Sequence, residues 1–315
     1  MFLPNGSILI TERIGKVRLI DNGILQEKPI AEFSNIKAIG EGGLLGLALH
    51  PNFPANNYVY LYYTYKEDSG NTLNRVIRMT YLNKQLTDEH IIVDKIPGSS
   101  NHNGGRIKFG PDGYLYITTG DAENPSQAQD TNALGGKILR VTDEGKSVSD
   151  NPFGNLIYSY GHRNPQGLAW DNHGQLWSTE HGPSGGQFGS ANDELNLIEK
   201  GKNYGWPVIK GNESKIGMET PKYTSGSAIT WAPAGLEFFQ NSLFFGGLRG
   251  ESLYEAVLTD NKITIKDHFK KEFGRIRDVV LGPDNQLYIT TSNRDGRGIP
   301  ALPDDRIIRI NPQKF

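Results

Sequence analysis

The sequence predicts an all-β protein: a six-bladed β-propeller of four-stranded antiparallel blades, forming one domain over residues 1–315. Three observations predict it. A strand, a turn and a second strand recur six times, at intervals of roughly 40–70 residues, within reach of propeller blade periods. The turn residues Pro, Asn, Asp and Gly return at the same place in the units. The chain is also punctuated by 38 Gly and 17 Pro, its 14 Tyr and 13 Phe suit strands, and no long stretch keeps a helical period. The alternative is a β-sandwich with irregular loops, which leaves the recurring turns unexplained.

The first unit is Leu3, the turn Pro4-Asn5-Gly6 and a strand over 7–11. The second runs from 47–51 to 58–63 through a longer turn. The third joins 107–109 to 114–119 through Pro111-Asp112-Gly113. The fourth joins 167–170 to 176–179 through Asp171-Asn-His-Gly174, and the fifth joins 235–239 to 243–245 through Gln240-Asn241. The sixth joins 279–281 to 287–290 through Pro283-Asp284-Asn285. Another β-like run follows each unit, at 16–20, 75–79, 137–141, 194–198, 252–257 and 306–310. The last run, 305–311, is expected to complete a blade with the N-terminal strands and close the ring. Residues 99–105, 182–192 and 201–205, rich in Gly, Ser and Asn, are expected to be long loops on one face.

Charge narrows the partners. With 33 basic and 35 acidic side chains the net charge is −2, so nothing draws the chain globally to nucleic acid or anionic lipid. There is no cysteine, which excludes disulfides and thiolate chemistry. No apolar run has the length of a membrane helix. No signal peptide is apparent, and Met1-Phe-Leu-Pro-Asn-Gly6 already lies inside a strand–turn pattern, so an N-terminal segment is expected to have been removed.

Four groups of residues are chemically suggestive. His102 and Asp121 stand at the two ends of the third strand–turn–strand unit, and antiparallel pairing brings such ends together. A His that meets an acid at a sheet end is a candidate general base with an orienting partner; a loop His bonded to backbone is the plainer reading. Arg163 and Asn164, just before Pro165, offer planar donors suited to a carboxylate or a sugar oxygen, or a brace for a neighbouring blade. Glu180-His-Gly-Pro183, Asp193-Glu194 and Tyr204-Gly-Trp-Pro207 bring carboxylates and Gly-rich backbone suited to calcium, without the spacing of an EF-hand. Arg275 and Arg277 alternate onto one face, so they need an anion between them, either a polyanionic ligand or a protein carboxylate such as Asp278 or Glu272. Arg249 is a further cation for the same cluster. Zinc-ligand spacing, a Gly-x-Ser-x-Gly elbow and a strand-to-helix phosphate loop are all missing from the sequence.

Taken together, Glu41-Gly-Gly-Leu-Leu-Gly-Leu-Ala-Leu-His-Pro-Asn-Phe53, His102-Asn-Gly-Gly-Arg106, Gly161-His-Arg-Asn-Pro-Gln-Gly167, Glu180-His-Gly-Pro183, Asp193-Glu194, Asn203-Tyr-Gly-Trp-Pro207 and Arg275-Ile-Arg-Asp278 resemble the soluble pyrroloquinoline quinone (PQQ) dependent sugar dehydrogenases. The similarity is greatest to their aldose sugar dehydrogenase branch and runs, motifs in order, along nearly the whole chain. It implies a six-bladed propeller that oxidises aldoses to lactones and passes electrons to an external acceptor. It implies His102 as the general base, held by Asp121. It implies Gly182 and Pro183 as carbonyl ligands of a calcium on PQQ, and Glu194 with the Tyr204 carbonyl as ligands of a second, structural calcium. Arg163, Asn164, Arg249, Arg275, Arg277 and Gln129 match positions around the cofactor, and Glu41 lies near the substrate. Some members carry Gln at the Glu41 position and Lys at the Arg249 position. The resemblance also implies a monomer or homodimer in the periplasm or outside the cell. Two other readings use the same residues: a propeller that only binds sugar or protein, and a calcium-dependent lactonase using Asp121 and Glu41.

Overall fold

The computed structural model describes residues 1–183, 191–260 and 262–315; most of the expected 182–192 loop, residues 184–190, lies outside them. Six antiparallel sheets, the blades of a six-bladed β-propeller, account for nearly all regular structure. They divide equally between two compact units, Met1–Asn164 with Lys200–Pro207 and Pro165–Glu199 with Val208–Phe315.

In the first unit, sheet one holds β1 (Ile8–Glu12), β2 (Lys16–Asp21), β3 (Ile24–Leu25) and β4 (Ala31–Glu32), with β2 pairing all three others. Sheet two runs in order through β5 (Leu44–Leu49), β6 (Tyr58–Lys66), β7 (Thr72–Leu82) and β8 (Gln85–Pro97). Sheet three runs through β9 (Ile107–Phe109), β10 (Leu115–Thr119), β11 (Lys137–Val141) and β12 (Ile157–Tyr160). Strand β6 explains how they stack. Its run Tyr-Val-Tyr-Leu-Tyr-Tyr has no polar alternation because both of its faces are covered. Val59, Leu61 and Tyr63 pack with Leu9, Val17 and Leu19 of sheet one. Tyr60 and Tyr62 pack with Ile107, Leu115 and Ile117 of sheet three. Each large apolar side chain buried this way stabilises the fold by roughly 1.5–3 kcal/mol.

In the second unit, sheet four holds β13 (Pro165–Trp170), β14 (Leu176–Glu180), β15 (Glu194–Ile198) and β16 (Tyr223–Thr224). Sheet five holds β17 (Pro233–Phe239), β18 (Ser242–Gly247), β19 (Leu253–Thr259) and β20 (Lys262–His268). Sheet six holds β21 (Ile276–Leu281), β22 (Leu287–Thr291) and β23 (Ile307–Ile310). Here β18 is the strand covered on both faces. Leu243 and Phe245 join Ala169, Trp177 and Trp231 on one side, while Phe244 joins Ile276, Val279 and Leu287 on the other.

The predicted strand–turn–strand units are therefore present, but two expectations change at the chain's ends. The final run pairs β23 with β22, so it finishes sheet six, as its third strand, rather than a blade with the first strands. Leu3 is not in a strand: only an isolated bridge, Phe2 to Ile8, precedes β1. The outermost strands β8, β12, β16 and β20 are additions to the sequence reading.

A candidate active site

The third sheet builds the first half of the chemistry. Strands β9 and β10 pair through Ile107 and Ile117, so the segments that leave them, toward His102 and toward Asp121, run side by side. The contact there is tight. A Cβ on Gly120 would lie 1.9 Å from the His102 carbonyl oxygen, so only glycine fits. His102 itself takes a left-handed backbone, φ 57°, which a non-glycine residue adopts only when held. Its N–H donates to the Glu41 carboxylate at 3.0 Å, and its carbonyl accepts from Ala122 at 3.1 Å.

His102 Nδ1 lies 2.8 Å from Asp121 Oδ1; the imidazole is 18% exposed and the carboxylate not at all. A fully buried carboxylate accepts the Nδ1 proton, which leaves the lone pair on Nε2. Asp121 accepts two further bonds, from the Glu123 N–H at 2.9 Å on Oδ1 and from Trp206 Nε1 at 2.8 Å on Oδ2. The loop before His102 is pinned by Glu123, whose carboxylate accepts from Ser99, Ser100 and Asn101. The Ser99 hydroxyl, foremost among these donors, holds the Glu123 pKa below its ordinary value.

The other candidates of this unit lie on neighbouring segments. Asn164 Oδ1 accepts the Gly104 N–H at 2.9 Å, and the Arg163 carbonyl accepts the Asp121 N–H at 2.8 Å. The Arg163 guanidinium lies 5.4 Å from the Trp206 ring centre. Gln129 closes a 3-10 turn, Pro125–Gln129, and its side-chain amide is engaged with Asn203 and with the Trp206 carbonyl at 2.7 Å. Beneath the turn, buried Lys137 donates to the carbonyls of Gln127, Ala128 and Gly135. Tyr204 is buried, its ring stacked on His162 at 4.7 Å.

The second unit carries the acidic and cationic groups. Glu180 and Glu194 face each other across β14 and β15. Burial first, then the Glu180 carboxylate, raises the Glu194 pKa above its ordinary value, against donation from Asn196 and the Gly211 N–H. Among the described residues no hydrogen-bond partner reaches the buried Oδ1 of neighbouring Asn196. Asp193, also buried, accepts the Gly182 N–H at 2.9 Å on Oδ1 and the Trp231 and Ala232 N–H groups, at 2.6 and 2.9 Å, on Oδ2. Gly182 is another place without room for a side chain, since a Cβ would meet the Ala191 carbonyl oxygen at 2.1 Å. Arg275 and Arg277 do share an anion: Asp295 Oδ2 accepts from Arg275 at 2.9 Å and from Arg277 at 3.3 Å. That carboxylate lies outside the stretch where the sequence suggested Asp278 or Glu272. Burial works to raise the Asp295 pKa, but the Arg297 N–H and the two guanidiniums outweigh it and hold it below its ordinary value. Arg249 is exposed.

Comparison with known proteins now decides the family. The glucose/sorbosone dehydrogenase family model matches residues 1–304. The chain belongs to that family. The structure of a protein from Thermus thermophilus described as a glucose dehydrogenase is 45% identical, covering 98% of this chain and 95% of that one, with a TM-score of 0.92. The PQQ-bound form of an aldose sugar dehydrogenase from Streptomyces coelicolor is 37% identical, covering 98% and 92%, with a TM-score of 0.90. An aldose sugar dehydrogenase of Escherichia coli is 34% identical over 96% of this chain and 88% of its own length.

For a glucose/sorbosone dehydrogenase family member, the geometry groups His102, Asp121, Glu41, Arg163, Asn164, Gln129 and Tyr204 within the first unit. Gly182, Pro183, Glu194, Arg249, Arg275 and Arg277 lie within the second. Sequence reasoning gave no individual role to Trp206, Lys137 or Asp295, and it grouped Asp193 only with the carboxylates suited to calcium. The contacts of Trp206 and Asp295 span 85 and 20 residues, beyond any local pattern. Lys137 was visible in the sequence only as the first residue of the expected run 137–141, whose five residues the structure buries.

Proposed function

We propose that this protein is a PQQ- and calcium-dependent dehydrogenase that oxidises aldose sugars to lactones, with His102 as general base. The observation that carries the reading is the 2.8 Å contact between His102 and a wholly buried Asp121 in a chain of this family. The Asp121 carboxylate holds the imidazole in one tautomer and orientation. Nε2 then takes the proton of the sugar's anomeric hydroxyl as the hydride leaves the adjoining carbon, and that carbon becomes the lactone carbonyl. Glu41, whose carboxylate accepts the His102 N–H, is the residue assigned to the sugar. When bound, PQQ supplies the two-electron hydride acceptor and its calcium the Lewis acid.

The residues fit these groups. PQQ is a tricarboxylate, and Arg275 and Arg277, which share the Asp295 carboxylate, are with Arg249 and Arg163 the guanidiniums assigned to its carboxylates. With Asn164, these are the cofactor-holding residues; Gln129 serves them through the loop it braces. Gly182 and Pro183 offer hard carbonyl oxygens on a peptide that Asp193 anchors. Glu194, facing Glu180 and beside the Asn196 side-chain oxygen, is an oxygen cluster that a second calcium would neutralise. Electrons pass to an external acceptor, and the protein works as a monomer or homodimer in the periplasm or outside the cell.

The test is reconstitution. Purified protein with PQQ and calcium should reduce a redox dye when given glucose or another aldose, and neither addition alone should suffice. Folded protein that binds PQQ but oxidises no aldose would end the proposal. His102→Ala should lower kcat by about 10²–10⁴-fold while PQQ binding, read by absorbance, persists.

A further inference from the structure

Resting on the reading of His102 as the base, we propose that Trp206 is a positioning residue for it, its indole N–H fixing and tempering the Asp121 carboxylate. The carboxylate is bonded on both oxygens. Oδ1 takes His102 Nδ1 and the Glu123 N–H, at 2.8 and 2.9 Å, and Oδ2 takes Trp206 Nε1 at 2.8 Å. Two donors on one oxygen leave the group free to rock about its bond to the chain; the indole on the other oxygen removes that freedom. It also draws charge from the carboxylate, so Asp121 pulls less strongly on the imidazole proton. A base held too tightly by its orienting acid accepts a substrate proton readily but returns it slowly. The indole sets that balance.

Trp206 is itself built in rather than resting at the surface. Its backbone N–H donates to the Gly161 carbonyl at 2.9 Å, and its backbone carbonyl accepts from Gln129 at 2.7 Å. Gln129 and Asn203 exchange a reciprocal pair of amide bonds at 3.0 and 2.8 Å. The Arg163 guanidinium lies over the indole face. Lys137, through the Gln127 and Ala128 carbonyls, secures the turn from which Gln129 reaches across. A chain of contacts thus runs from a buried lysine to the imidazole, wholly within the first unit, and Gln129 acts as its brace.

The test is Trp206→Phe, which keeps an aromatic ring and deletes the donor. Its first readout is the His102 pKa, from ring-nitrogen NMR of the cofactor-free protein. The formal charges near His102, on Glu41, Asp121 and Glu123, and on Arg163 over the indole, are unchanged by this substitution. The pKa should rise by about half a unit or more, because the carboxylate loses a donor that competed with the imidazole proton for it. With PQQ and calcium, kcat should fall about tenfold with KM nearly unchanged and the acid limb of the pH profile moved upward. A folded Trp206→Phe protein with an unmoved His102 pKa would overturn the proposal. If that variant does not fold, Gln129→Ala loosens Trp206 from its other end and should move the pKa in the same direction by less; a folded Gln129→Ala protein with no shift would overturn it equally. A moved pKa in a protein that oxidises no aldose would sink the dehydrogenase reading and leave Trp206 as the tuner of the pair.

Discussion

Lys137→Met examines the support of the candidate site without touching it. The ammonium is wholly buried, and three backbone carbonyls accept from it at 2.7, 3.1 and 2.6 Å. Three charge-assisted hydrogen bonds suggest a loss of roughly 5–9 kcal/mol. That figure is too large for two reasons. The Gln127 and Ala128 carbonyls keep backbone donors, Asp130 and Gly161, so Gly135 is the carbonyl left to be solvated or orphaned. Methionine also removes the desolvation of an ammonium, which costs several kcal/mol. The expected destabilisation at pH 7 is therefore about 1–3 kcal/mol, measured by urea unfolding followed by circular dichroism. The pH dependence is the sharper test. Burial pushes the Lys137 pKa from its ordinary 10.5 down to about 7. The folded state then binds fewer protons than the unfolded chain between those values, so wild-type stability rises with pH from about 7 to 10.5. The gain has an upper limit of ~5 kcal/mol, which the carbonyl contacts reduce. The methionine variant lacks this gain, so the stability difference between the two proteins should widen toward alkaline pH. A difference that stays flat from pH 7 to 10 would refute the reasoning and mean that the three carbonyls hold the ammonium charged throughout.

Three further outcomes are expected. Asp193→Asn places an amide among three backbone donors, so it should cost about 2–4 kcal/mol in thermal unfolding and weaken calcium binding, measured by calorimetry, through the loosened Gly182. Glu194→Gln should remove most of the rise in melting temperature that calcium gives the wild type, whereas an equal rise in both proteins would show that calcium binds elsewhere. Asp295→Asn leaves two guanidiniums without their shared anion and should destabilise the cofactor-free protein by about 2–4 kcal/mol; added PQQ should then raise its melting temperature more than that of the wild type.

How far the sequence carried depended on distance along the chain. The inner strands were legible because a tight turn follows each at short range, and β9, β10 and the His102–Asp121 contact all lie within twenty-one residues of one another. The outer strands were not. Strand β8 is largely exposed over Gln85–Pro97, and β20 reads Lys-Ile-Thr-Ile-Lys-Asp-His with no residue fully buried, so neither carries the apolar signature of a covered strand. Arg275 and Arg277 announced that they needed an anion, yet nothing local singled out Asp295. Trp206 was visible only as part of a motif, because its partner lies in a different blade's loop.

The doubly covered strand β6 has a practical consequence. Tyr60, Tyr62 and Tyr63 have no exposed surface, and burial raises the phenol pKa of each, well above its ordinary value for Tyr62. These hydroxyls stay protonated in alkali for as long as the neighbouring blades remain closed on them. Phenolate absorbance then becomes an internal gauge of the first unit: surface tyrosines colour first and reversibly, and a second, cooperative step marks the moment the blades part.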